Sequence, residues 1–140
     1  MRATPVKKSA VESYGGPRLL VVIGADQDPA RAVEAACLLG QEAHADLMLA
    51  CAPSDPPALR GQALERASQL ARLHRLRVST AQGPESASAA DVLRLARRLR
   101  PRVLVLAVAR PGPGWRGWRR ALDLWRILRG APCEVVVVRS

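Results

Sequence analysis

The sequence predicts an α/β fold, a single domain with a doubly wound parallel five-stranded sheet and helices on both faces. Three observations predict it. Apolar runs of strand length alternate with helical stripes from Arg18 onward. Most of these runs lack the polar alternation of a half-exposed strand, so they read as strands buried on both faces. The chain has 140 residues, 49% of them hydrophobic, which suits one domain burying roughly two thirds of its unfolded surface.

Arg18-Leu-Leu-Val-Val-Ile23 is the first strand, β1, and Gly24-Ala-Asp-Gln-Asp28 is the turn after it. Asp28 before Pro29 marks the start of helix α1, running to about Ala43, with Val33, Ala36, Cys37 and Gly40 on its buried face. Asp46 to Cys51 is strand β2, and Pro53-Ser-Asp-Pro-Pro57 is a rigid loop. Helix α2 spans about Ala58 to Leu73, with Ala63, Ala67, Leu70 and Ala71 on one side and Arg60, Glu65, Arg66 and Arg72 on the other. Leu76 to Ala81 alternates in part, as an edge strand does, and is β3. Gly83-Pro-Glu-Ser86 opens helix α3, whose stripe is Val92, Leu95, Ala96 and Leu99, and Pro101 stops it.

The unit from Arg102 to Arg139 organises the rest. Arg102 to Ala109 is the buried strand β4, and Arg110-Pro-Gly-Pro-Gly-Trp-Arg-Gly117 is a loop of the kind that holds a phosphate in α/β sheets. Trp118, Ala121, Leu122, Trp125 and Leu128 form the stripe of helix α4, which assigns Trp118 and Trp125 to the core, and Gly130 stops the helix. Trp115 is placed in the exposed loop. Val135, Val136, Val137 and Val138 form the last strand, β5, parallel to β4 through a right-handed crossover.

The three cysteines, Cys37, Cys51 and Cys133, are odd in number and lie in apolar surroundings, which reads as core thiols in a reducing compartment. Residues 1–16 contain no signal-peptide core, and no run approaches 18 apolar residues. The expectation is a cytoplasmic protein with a flexible tail over 1–16, a domain over 17–140, and no membrane partner. The net charge is +10; of 22 basic residues, two are Lys7 and Lys8 and the other 20 are arginine. Arg66, Arg72, Arg94, Arg97, Arg98 and Arg100 fall opposite the apolar stripes with no aromatics between them, so solvated helix faces are favoured over nucleic-acid binding. His44 and His74 fall at helix ends, without a Cys, Ser or carboxylate at catalytic or metal-ligand spacing.

A single reversal of the winding, between β1 and β4, opens a crevice at the carboxyl ends of those strands. Gly24, Ala25 and Asp26 would line it on one side, and Ala109, Arg110, Gly112, Gly114, Trp115 and Arg116 on the other.

The element order and the ending Arg126-Ile-Leu-Arg-Gly-Ala-Pro-Cys-Glu-Val-Val-Val-Val-Arg139 resemble the universal stress protein family, over about Arg18 to Arg139. The resemblance implies a flavodoxin-like, adenine nucleotide alpha hydrolase-like sheet of order 3-2-1-4-5. It also implies a homodimer joined along the last strand, through Val135 to Val138, and in many members ATP or AMP in the crevice, with the adenine meeting Ala50 and Cys51. The chain departs from the family's nucleotide motif. The aspartate expected after β1 falls on Gly24, and the closing Gly-Ser/Thr of the signature falls on Ala121-Leu122. Pro111 and Pro113 lack the N–H donors a phosphate cradle uses.

Two readings therefore stand. One is a homodimeric stress-response and interaction module, open to a further protein partner, that has lost high-affinity ATP binding. The other is a small-molecule binding module that takes ATP, AMP or another anion through Arg110, Arg116 and the Gly112 to Gly117 loop. No enzyme is expected, and Asp26 is the only candidate Mg²⁺ ligand for any slow ATP hydrolysis.

Overall fold

The structure is a computed structural model, and it describes residues 18–24, 28–53, 57–86, 88–108 and 115–139, with the backbone alone at 108, 115–122 and 139. The tail over 1–16 lies outside the described residues. Five strands alternate with four helices: β1 Arg18–Ile23, α1 Ala30–Ala43, β2 Asp46–Cys51, α2 Ala58–Leu73, β3 Val78–Thr80, α3 Ala89–Leu99, β4 Val103–Val108, α4 Trp115–Gly130 and β5 Glu134–Arg139.

All four strand pairings are parallel, and the order is β3-β2-β1-β4-β5. The central strand β1 is buried from Leu19 to Ile23, as its unbroken apolar run requires. Its side chains divide between two cores. Leu19, Val21 and Ile23 pack under α1 and α2 with Val33, Ala36, Cys37, Ala63, Ala67 and Ala71. Leu20 and Val22 pack under α3 and α4 with Val92, Leu95, Ala96 and Ile127. The period of two along β1 thus puts one helix pair on each face.

The small residues of α1 bring it close to the sheet: a Cβ on Gly40 would stand 3.1 Å from Leu76 Cδ1 and 3.4 Å from Leu19 Cδ1. His44 is the C-cap of α1 in the left-handed region, at φ 52, and its N–H donates to Gly40 O. His74 is the C-cap of α2, and its carbonyl accepts from Gln41 Nε2 at 3.3 Å. Both histidines are end caps, as their sequence positions suggest.

Several boundaries differ from expectation. The strand β3 is confined to Val78–Thr80, although Ala81 N still donates to Leu49 O at 2.9 Å. Helix α3 starts at Ala89 instead of opening at Gly83, because Ser88 is its N-cap and accepts from Asp91 N at 3.3 Å. Asp91 in turn accepts from Ser86 Oγ and from Arg94 Nη1. Helix α4 starts at Trp115, three residues before its expected stripe, so Gly117 lies inside a helix.

The largest correction concerns the face of α4. Ile127 is buried, and Leu124, Ala131 and Cys133 pack with it against β4 and β5. Trp125, expected in the core, is 53% exposed, and Leu128 is 48% exposed. Two apolar stripes run along this helix, and periodicity alone does not say which meets the sheet. α4 packs beside α3, with Gly130 against Leu93, and that placement turns the Leu124 and Ile127 side inward.

Candidate functional site

The crevice follows from the sheet topology. From β1 the chain winds outward through β2 to β3, and α3 then carries it back across the sheet to β4, on the other side of β1. At the amino ends, β1 and β4 are held together by Arg102 N donating to Arg18 O at 2.8 Å. Their described pairing runs from Leu19↔Val103 to Val22↔Leu106, whereas β4 and β5 pair through to Val108↔Arg139. The carboxyl end of β1 is instead tied to β2: Ile23 pairs with Cys51, and Ala52 N donates to Ile23 O at 3.0 Å. The β1 and β4 ends part at the reversal of winding, where ligands of open α/β sheets bind.

Of the expected lining residues, Gly24 is half-buried directly after β1. Ala25 and Asp26 lie outside the described residues, as do Ala109, Arg110, Gly112 and Gly114. Trp115 and Arg116 begin α4, so they belong to its first turn and not to the loop where Trp115 was expected. Sequence cues favoured the later start, since Gly117 costs about 1 kcal/mol within a helix. The Arg, Leu and Trp residues after it are good enough helix formers to carry the extra turn.

Ala50 and Cys51 are 0% exposed at the carboxyl end of β2. The segment leaving β3 covers them. A Cβ on Gly83 would fall 3.0 Å from the Cys51 carbonyl carbon and closer still to its oxygen, and Pro84 beside it is buried. The Gly83-Pro84 pair is therefore a close backbone crossing over β2, a role the sequence reading missed by assigning it to a helix start. The Gly-Pro dipeptide, a turn signal, was the available cue. Cys51 Sγ donates to Ala52 O at 3.4 Å.

Among the described residues after β1, Asp28 is engaged at the start of α1. Asp28 Oδ1 accepts from Ala30 N at 3.1 Å and lies 3.6 Å from Arg66 Nε. It thus holds the start of α1, through an N–H that would otherwise be unpaired. Both side chains of that ion pair are well exposed, so its contribution to stability is small. The Ala121-Leu122 pair, where the family signature carries Gly-Ser/Thr, lies in the second turn of α4. Backbone N–H groups there are taken by the helix and cannot cradle a phosphate.

Among the described residues, no group of three His, Cys, Asp or Glu side chains could hold a metal ion. No disulfide links the three cysteines to one another. Burial pushes the Cys37 thiol up to about 11, with Glu34 adding to the effect. Burial also raises Cys133, opposed by a backbone hydrogen bond with Leu104 and reinforced by Glu134. Neither thiol is a reactive nucleophile in this state.

The other expected surface is β5, which pairs with β4 and stands at the outer edge of the sheet. Val135 packs into the core under α3 and α4, and Val136 and Val138 pack into the one under α1 and α2. Val137 is 37% exposed.

No sequence-family profile matches the chain, and no curated protein sequence matches it significantly. Solved structures do. A universal stress protein from Archaeoglobus fulgidus superposes with a TM-score of 0.70 at 11% identity, covering 91% of this chain and 96% of the other. One solved in complex with cAMP gives 0.57 at 23% identity, covering 89% and 98%. The Archaeoglobus fulgidus protein in complex with dAMP gives 0.63 at 11% identity, covering 87% and 96%.

Proposed function

We propose that this chain, which has the universal stress protein fold, is a homodimeric stress-response and interaction module with no catalytic role and no high-affinity ATP site. The single observation that carries the loss of tight ATP binding is the course of α4. Its helical backbone runs through Ala121-Leu122, so the amides that the family signature would offer to phosphate are already bonded. Gly24 stands in place of the family's aspartate, and Asp28 is engaged at the start of α1, which also supports this reading. Three cysteines with no disulfide among them suit a cytoplasmic setting.

Pairing along β5 would satisfy a free strand edge and cover Val137. Two copies related by a two-fold axis would extend the sheet antiparallel through Val135 to Val138. Sedimentation equilibrium tests this part of the reading: a dimer at micromolar concentration is expected, and a monomer refutes it.

A second reading, an adenine nucleotide or another anion held in the β1–β4 crevice, is favoured by the neighbours solved with cAMP and dAMP. Ala50 and Cys51 at the carboxyl end of β2 are small residues, which suits an adenine placed beside that strand. Calorimetric titration with ATP and AMP, with and without Mg²⁺, separates the two readings. No heat is expected for the interaction module, and micromolar binding would establish the nucleotide reading in its place.

A further inference from the structure

The outward side of α4 leaves two large apolar side chains uncovered. Trp125 and Leu128 stand 53% and 48% exposed, three residues apart on one helical face. Arginines frame them. Arg126 and Arg129 are exposed on the same helix, and the Arg129 guanidinium lies 4.7 Å from the Trp125 ring centroid. Neither arginine enters an ion pair among the described residues.

We propose that this face, Trp125 and Leu128 with Arg126 and Arg129, docks on the surface of an anionic phospholipid bilayer. A bilayer interface takes all three chemistries together. Leucine enters the acyl boundary, tryptophan sits at headgroup level, and arginine meets lipid phosphate. Other occupants fit less well. A second copy seated here by a two-fold axis would set Arg126 and Arg129 against themselves, in a chain that already carries +10. Nucleic acid would use the arginines, but it offers nothing to Leu128, and Arg129 already lies over the Trp125 ring where a base would stack.

The expectation of no membrane partner rested on the lack of a spanning segment. Indeed, no described helix is long and apolar enough to cross a membrane. Lying on a membrane needs only one exposed amphipathic face, and α4 supplies it. That face stayed hidden in the sequence because its stripe was assigned to the core.

The test is cosedimentation of the full chain with phosphatidylcholine vesicles, with and without a quarter phosphatidylglycerol. Binding to the anionic vesicles alone is expected, weakening as salt rises, with a blue shift of tryptophan emission. Arg126→Gln with Arg129→Gln should weaken it by a factor on the order of twenty, about fivefold per charge. Trp125→Ser with Leu128→Ser should abolish both binding and blue shift while leaving far-UV circular dichroism unchanged. The proposal is overturned if anionic vesicles fail to retain the protein, or if the serine variant binds as well as the parent. Self-association lost in the serine variant would also overturn it and assign the face to a second copy. So would tight duplex DNA binding that the serine variant retains.

Discussion

Replacing Gly83 by alanine should unlock the crossing that covers the end of β2. An added Cβ would stand 3.0 Å from the Cys51 carbonyl carbon and 3.3 Å from its nitrogen, and nearer still to the oxygen. The atoms it meets are backbone of a fully buried strand, which cannot rotate away. The 81–84 segment must therefore lift by about an ångström, which loosens the bond from Ala81 N to Leu49 O. Overpacking of this kind costs about 1–3 kcal/mol, and a weakened hydrogen bond about 1 more. For 140 residues, an unfolding entropy of about 2.1 cal/mol/K per residue converts 2–4 kcal/mol into a fall in Tm of roughly 7–13 °C. Differential scanning calorimetry measures it. Gly61→Ala is the control: nothing lies within 4 Å of its Cβ in the first turn of α2, so that variant should gain about 0.5–1 kcal/mol. A Gly83→Ala variant melting within about 2 °C of the parent would refute the reasoning.

Three further predictions concern the rest of the fold. Ile127→Ala should cost about 2–5 kcal/mol in urea unfolding, whereas Trp125→Ala on the outer side of the same helix should cost about 0.5 or less; the reverse order would restore the sequence-based assignment of the stripe. His44→Gly and Arg100→Gly should each stabilise the protein by about 0.5–1 kcal/mol, because both residues sit at positive φ, 52 and 50, on helix C-caps; no gain in Tm would show that these side chains support the fold in another way. The Cys37 thiol is raised in the fold to about 11 from 9.0, so the protein holds this proton more tightly than the unfolded chain does. That stability is fully present below pH 9 and is lost as pH rises toward 11, an effect of order 2 kcal/mol. Urea melts at pH 8 and about 10.5 should show a smaller fall in Cys37→Ala than in the parent, and equal falls would refute the assignment.

Local chemistry was legible in the residues. The buried runs of β1, β2 and β4 declared themselves through unbroken apolar sequence, and α1 and α2 through stripes ending at histidine caps. The parallel alternation followed, because a helix between two buried strands has one favoured hand of crossover. Asp28 was expected to be the N-cap of α1, but Pro29 takes that position and Asp28 Oδ1 accepts from Ala30 N just inside the helix. The position of a crevice followed from element order once the winding reverses beside β1.

What the tertiary structure decided lies where one sequence pattern serves two geometries. α4 carries two apolar stripes, one through Leu124 and Ile127 and one through Trp125 and Leu128; only its packing against α3 and the β4–β5 edge chose between them. Gly83 carried a turn signal in the sequence, but its contact with Cys51, 32 positions earlier, exists only once β3 lies beside β2. Hydrophobic periodicity records how much surface a helix must hide and leaves open the direction in which its neighbours lie. That direction is set by the sum of non-local contacts, and it turned an expected core stripe into an exposed, arginine-framed surface.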